Sequence, residues 1–246
     1  LTESLTLYLK GSGDMNYTNE VAKVLARQNE LKIIISRDLY REKLSFIPEV
    51  TFYKILERLE KTEKIHKIAK GVFCLPQKTK FGNLYSSEKD IVDYFVAANS
   101  GMVVGYGAFN QLGITTQISK RVEVYSNKVS ECTKHLKNVS IRNVNLTFSE
   151  DNKKAIQLME ILEHFSEIED LNILQFQNVA SSLLKSYNEN NFDNVFKTIK
   201  YKKRTIAFLE TLLNSANIEN NMKKYLSATS EYEIPNLEGL YETSSI

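Results

Sequence analysis

Between Pro48 and Pro76 the apolar residues change their period, and no other feature of the chain constrains its fold as tightly. Phe52, Ile55, Leu56 and Leu59 recur at i, i+3, i+4 and i+7, which puts them on one stripe of an α-helix. Pro48 suits the first position of that helix, because its fixed φ is already helical and its missing N–H would have had no intrahelical partner. Residues 65–69 and 72–75 then read as two short strands around Lys70-Gly71, where glycine can supply the positive φ of a tight turn. Pro76 closes the unit.

Two more helices are expected upstream. Thr18 can cap one that carries Val21, Val24, Leu25, Gln28 and Leu31 at helical spacing and leaves Lys23 and Arg27 outside. Residues 33–35 form a β-branched run, after which Ser36 can cap a second helix with Asp38 in its first turn and Leu39, Tyr40 and Lys43 following. Helices in that order, closed by a basic hairpin, are the arrangement of a winged helix-turn-helix. In such a domain the third helix enters the major groove of DNA and the hairpin meets neighbouring backbone. Thr51 and Lys54 are then the candidates for base contact, and Arg58 for guanine or phosphate. Lys61 and Lys64 are the candidates for backbone, and His66, Lys67 and Lys70 decorate the hairpin. Interleaved Glu57, Glu60 and Glu63 admit a plainer reading, a solvated helix laced with ion pairs at i, i+3 and i, i+4. The order of the elements favours DNA, because the plainer reading does not predict it.

Charge supports the same division of labour. Residues 15–80 hold 14 Lys/Arg against 8 Asp/Glu, whereas residues 81–246 hold 17 against 20, although the net charge of all 246 residues is only +2. A basic segment joined to a mildly acidic one suits a nucleic-acid-facing domain attached to a domain with another task. Cys74 and Cys132 lie in no Cys-x-x-Cys motif, so neither a disulfide scaffold nor a zinc site is expected, and a cytoplasmic protein without membrane contact fits the composition. Residues 1–14 read as an expression-tag remnant ahead of a start at Met15. Their Gly11-Ser12-Gly13-Asp14 lacks the downstream Asp-x-Asp of a nucleotidyltransferase.

Beyond Pro76 the polar residues 77–83 read as a linker. Helices are expected over 88–98 and 105–112, and strands over 121–125 and 139–144. From Asn152 the pattern is helical, with one stripe of Ala155, Leu158, Met159 and Leu162, another of Val179, Leu183 and Leu184, and a third of Ile206, Leu209, Leu212 and Leu213. The expected fold is α+β and mostly α. A winged helix-turn-helix over 15–80 precedes a larger α-rich domain with a small sheet over 81–246.

Catalytic patterns are weak. His66, His135 and His164 lie far apart with no histidine or cysteine at i+3 or i+4, and neither metal nor cofactor is expected. Gly101, Gly105, Gly107 and Gly113 lack both the Gly-Lys-Ser/Thr ending and the G-x-G-x-x-G spacing of phosphate loops, so they read as turn glycines. Glu150 and Asp151 with Lys153 and Lys154 resemble a nuclease cluster faintly, but Ser-Glu-Asp-Asn is equally a helix start. Lys202, Lys203 and Arg204 form a second basic cluster, suited to one solvated turn, a further nucleic-acid contact or an acidic partner.

Two segments, KIAKGVFCLP and GAFNQLGITTQISKRVEVYSN (residues 107–127), resemble in order and separation the AbiEi family of antitoxins from type IV toxin-antitoxin systems. The first is similar to that family's basic wing, which ends in an aromatic residue and a proline. The second is similar to its Gly-Ala, Leu-Gly-Leu-Ser-Thr-Gln and closing-strand pattern. Ile114 and Thr115 replace the usual leucine and serine, and Ser119 stands where proline is common. The resemblance covers residues 21–127. It implies a non-enzymatic repressor that binds inverted repeats in its own promoter and counters a neighbouring nucleotidyltransferase toxin without a stable complex, in defence against phage. It names no residue for antitoxicity, for which Lys202, Lys203 and Arg204 are the only surface offered. The rival readings are a winged helix that docks a protein and never touches DNA, and an enzyme that reverses the toxin's modification.

Overall fold

The structure, a computed structural model, describes residues 14–235. The tag reading of residues 1–14 therefore lies outside the described residues, except at Asp14, where the first helix begins. The chain divides into two compact units after Tyr94. The expected division after Lys80 falls earlier. The fold is α+β, with helix predominating.

The first unit runs α1 (Asp14–Ala26), β1 (Ile33–Ile35), α2 (Ser36–Leu39) continuing into a π-helical turn (Tyr40–Leu44), α3 (Glu49–Lys61), β2 (His66–Ala69) and β3 (Val72–Cys74). The strands form an antiparallel sheet in the order β1-β3-β2, with Ile33 opposite Cys74 and Ile35 opposite Val72. Phe52, Ile55, Leu56 and Leu59 of α3 are all buried, packed with Val21 and Leu25 of α1, Leu44, Ile47, Ile34 and Phe73. Burying each of these side chains is worth about 1.5–3 kcal/mol, so the stripe read from the sequence is what seats α3.

Several local expectations shift. Thr18 lies inside α1 instead of capping it, and Leu31 has left the helix for a left-handed φ of 60°, where its N–H donates to Leu75 O at 2.9 Å. Pro48 sits at the N-cap of α3, one residue before its first turn. Ser36 is the first residue of α2, not its cap. Its N–H donates to Gly71 O at 2.9 Å and its hydroxyl to the same oxygen at 3.2 Å. A carbonyl from the hairpin turn thus satisfies an N–H that the start of a helix leaves without an intrahelical acceptor. The expected linker is a second antiparallel hairpin, β4 (Gln77–Thr79) and β5 (Gly82–Leu84). After it, α4 (Glu88–Val96) opens with a reciprocal cap. Ser87 N–H and hydroxyl both reach Asp90 Oδ2 at 2.7 Å, and Asp90 N–H returns to Ser87 Oγ at 3.2 Å.

The second unit pairs a sheet with a helical layer. Its strands β6 (Gly101–Val104), β7 (Val122–Ser126), β8 (Thr133–Leu136) and β9 (Val139–Asn143) stand in the order β6-β7-β9-β8, with β7 and β9 parallel and the other pairs antiparallel. Neither β6 nor β8 is visible in the sequence pattern. Gly101 is not a turn glycine, since a Cβ there would stand 2.4 Å from Tyr125 O and 2.5 Å from Phe95 O. Only glycine permits that approach of two strands.

Between β6 and β7 lies α5 (Gly105–Gln111). After the sheet come α6 (Glu150–His164), α7 (Ile173–Lys185), α8 (Glu189–Thr198) and α9 (Lys203–Ser215). Ser149 caps α6 by accepting from Asn152 N, and Lys153 pairs with Glu150 at 2.8 Å, so Ser-Glu-Asp-Asn is a helix start. The core collects Leu158, Met159 and Leu162 of α6, Leu183 and Leu184 of α7, and Ile206, Leu209, Leu212 and Leu213 of α9. No helix of the described residues is long and apolar enough to cross a membrane.

Candidate nucleic-acid interface

On α3 the face opposite the buried stripe is divided by charge. Lys54, Arg58 and Lys61 are exposed and fall within an arc of about 60° at 3.6 residues per turn, with half-buried Thr51 on the same flank. Glu49 and Glu60 lie across the helix, with Glu57 at the boundary. The plainer reading required ion pairs here. Among the described residues none of Lys54, Arg58, Lys61 and Lys64 enters a salt bridge, although Glu57, Glu60 and Glu63 are within three or four positions of them. These cations are left to solvent or to a partner. Lys64 is half-buried in the connection after α3 and lines, with Thr62 and Glu63, a largely apolar groove of about 350 Å³.

Two residues that the sequence reading passed over stand at the leading end of α3. Phe46 is 60% exposed and Val50 67% exposed. The turn that presents them is held by Tyr40, whose hydroxyl donates to Ile47 O at 2.9 Å while its ring packs 5.2 Å from Phe52. Both lie off the stripe period, and that misfit was the only signal available.

The first hairpin is short. Lys67 and Lys70 are exposed, but the turn is held against the start of α2 through Gly71 and Ser36, and a Cβ on Gly71 would meet Ser36 Oγ at 3.3 Å. His66 is only partly open on the hairpin surface. Its ring is half-buried and stacks on Tyr85 with centroids 3.9 Å apart. In the second hairpin, by contrast, Lys78, Lys80 and Phe81 are exposed, Phe81 as fully as a residue in an extended chain.

In the second unit the basic cluster is partly taken up by the fold. Lys202 pairs with Glu163 at 3.0 Å, and Glu163 also accepts from Lys202 N–H at 3.2 Å and from Thr205 hydroxyl at 2.6 Å. These donors hold the Glu163 carboxyl below its usual range against the opposing effect of burial. Lys203 and Arg204 remain exposed. Glu160 of α6 lies buried and accepts from Tyr125 and Tyr201 hydroxyls at 2.9 Å each, with burial pushing its carboxyl up. His164 bonds Glu167 at 2.7 Å, and His135 is exposed on β8.

The segment after α5 is tied down by Asp170, which accepts from the hydroxyls of Thr115 and Thr116 and from Thr116 N–H at 2.8 Å. Those bonds lower its carboxyl to about 2. The Gly-Ile-Thr-Thr-Gln stretch is therefore a structural clasp onto the loop before α7, reinforced where Gln175 donates to Leu112 O at 2.7 Å.

No curated protein matches the chain. A family model described as a family of unknown function, DUF6088, matches residues 39–189, a span that includes α3, both hairpins, the whole four-stranded sheet, α6 and α7. Because that match covers more than half of the sequence, the chain belongs to the family of unknown function DUF6088.

Proposed function

We propose that the chain is a cytoplasmic, non-enzymatic transcription repressor that binds double-stranded DNA through a winged helix-turn-helix in its first unit. One observation carries this reading: Lys54, Arg58 and Lys61 share one flank of α3 without ion pairs, opposite the stripe that seats the helix. Thr51 and Lys54, nearest the start of the helix, read base edges, Arg58 takes guanine or phosphate, and Lys61, Lys64, Lys67 and Lys70 neutralise backbone charge. The element order, three helices and a sheet in which β1 pairs with β3, supports it.

The resemblance to AbiEi antitoxins extends the proposal. The sites are inverted repeats in the protein's own promoter, and the second unit counters a nucleotidyltransferase toxin without a stable complex. In this role the clasp at Asp170 and the tyrosine-bonded Glu160 keep the second unit rigid, leaving Lys203 and Arg204 on its surface.

A gel shift with the duplex upstream of the gene, against a scrambled duplex, tests the first part. Affinity should fall steeply from about 50 to 200 mM salt, and a flat response sinks the electrostatic mechanism. Replacing Lys54, Arg58, Lys67 and Lys70 together with alanine should abolish promoter binding and leave antitoxicity intact. Exposed Phe46 and Val50 favour a second reading, in which this end of α3 docks a protein. That reading gains if the upstream and scrambled duplexes bind alike.

A further inference from the structure

We infer that the second hairpin, β4–β5, is a nucleic-acid probe that places Phe81 against bases while Lys78 and Lys80 hold the flanking phosphates. This rests on the DNA-binding reading above and reassigns the far-reaching contact from the first hairpin to the second.

The geometry separates the two hairpins. The first ends on Gly71, whose carbonyl takes both the N–H and the hydroxyl of Ser36, so its turn is drawn back onto the body of the unit. The second pairs Gln77 with Leu84, Lys78 with Asn83 and Thr79 with Gly82, leaving Lys80 and Phe81 as a two-residue tip. Thr79 builds that tip: its hydroxyl donates to Gly82 O at 2.7 Å and its oxygen accepts from Phe81 N–H at 3.1 Å. Gly82 adopts a φ of 116°, a conformation that L side chains rarely take. The turn is therefore specified, and what it presents is a phenyl ring with 101% exposure.

A fully exposed aromatic ring gives up the burial that phenylalanine gains elsewhere in a fold, so its position asks for a partner with a flat apolar face. The neighbours state the partner's charge. The hairpin sequence Gln-Lys-Thr-Lys-Phe-Gly-Asn-Leu has no carboxylate, and neither Lys78 nor Lys80 is in a salt bridge among the described residues. Cations beside an exposed ring suit a polyanion whose bases stack, or whose base steps admit an apolar wedge. The hairpin's foot lies by the end of α3, where Asn83 donates to Glu63 at 3.5 Å and Lys78 shares a groove with Thr62 and Lys64. A duplex seated on α3 is thus within the range of a ribbon that begins beside the last turn of that helix.

The chain contains no tryptophan, so Phe81→Trp introduces a single reporter at the tip. The full-length variant is titrated with the upstream duplex and separately with phosphatidylserine vesicles, following indole emission and acrylamide quenching. Gel shifts of the unsubstituted protein run in parallel. The inference expects emission quenched by the duplex and the indole shielded from acrylamide. Phe81→Ala should lower affinity about tenfold, the scale of losing one base stack. Lys78→Ala with Lys80→Ala should reduce the slope of log affinity against log salt by about 2. A normal gel shift with the indole still open to acrylamide overturns the role of the hairpin and leaves the DNA reading standing. No gel shift by the unsubstituted protein overturns both. Emission that responds to vesicles and not to the duplex overturns the inference in favour of a membrane surface.

Discussion

In the first unit Lys54, Arg58 and Lys61 stand on a helix face without ion pairs, whereas in the second Glu160 lies under two tyrosine hydroxyls and Glu163 gathers Lys202 and Thr205. Lys224 likewise bridges Glu189 at 2.7 Å and Asp193 at 2.9 Å, with the Tyr225 hydroxyl on the same aspartate. In the second unit these groups serve the packing, although Lys203 and Arg204 stay exposed; in the first, the cations of α3 face outward, although elsewhere Lys23 pairs with Glu20, Arg37 with Asp38 and Lys89 with Asp93. Under the proposed function, such a difference separates the α3 face, offered to a charged partner, from clusters whose charges are structural. It also explains why composition alone, a modest excess of cations in residues 15–80, understated the contrast.

Substitutions can break this contrast. The largest effect on stability should come from Glu160→Ala, which leaves the hydroxyls of Tyr125 and Tyr201 inside the core without their acceptor. Urea unfolding should show a loss of about 2–4 kcal/mol, while Glu160→Gln, which retains a carbonyl acceptor, stays within about 1 kcal/mol of the parent. A loss as large for the glutamine variant would mean that the charge, not the acceptor, matters there. Next, Lys54→Ala and Arg58→Ala should each weaken binding to the upstream duplex by about 10- to 100-fold, yet leave unfolding within about 0.5 kcal/mol. If instead they destabilise the fold and spare binding, the two units do not differ as described.

Titration sharpens the same comparison. Burial raises the Glu160 carboxyl above its ordinary 4.5, so the folded state favours the protonated form. Its contribution is fully present below 4.5 and fades as pH rises through the raised value. The parent should therefore lose melting temperature relative to Glu160→Gln as pH climbs above 4.5.

Asp170 behaves oppositely. Hydrogen bonds from Thr115 and Thr116 lower it from 3.8 to about 2, so its contribution is present above 3.8 and lost as pH falls toward 2. Asp170→Asn should flatten the acid side of the melting profile between those values, and an unchanged profile would remove the clasp. The smallest expected effect is at the end of α3. Lys61→Ala should reduce the salt dependence of binding by about one phosphate contact and lower affinity for both duplexes alike.

How much of this was legible follows from which elements repeat a period long enough to read. The α3 stripe spans two turns and its four apolar positions are all buried, so both its existence and its facing direction could be read from the sequence. The same holds for the stripes of α6 and α9, whereas in α7 Leu183 and Leu184 are buried and Val179 is only partly covered. The second hairpin could not be read that way. Its strands are three residues each and mostly exposed, with Leu84 their one large apolar side chain, and they carry no alternation to distinguish them from a linker. β6 and β8 failed for a related reason: four residues each, held in place by pairing with β7 and β9 rather than by their own pattern. His66 belonged to the basic set by sequence position, and only the structure shows that its ring is half-buried and stacked on Tyr85.

The helical stripes, the turn at Lys70-Gly71 and the placement of Lys54, Arg58 and Lys61 opposite the core follow from local periodicity or from the backbone freedom of a single glycine, and so are legible in the residues themselves. Which hairpin turn is tied down and which polar groups are already engaged depends on contacts made after the chain has folded. Ser36 meets Gly71 across 35 residues, Tyr125 and Tyr201 converge on Glu160 from different elements, and Asp170 reaches back to Thr115. Those contacts depend on distances between parts of the chain that no local pattern encodes.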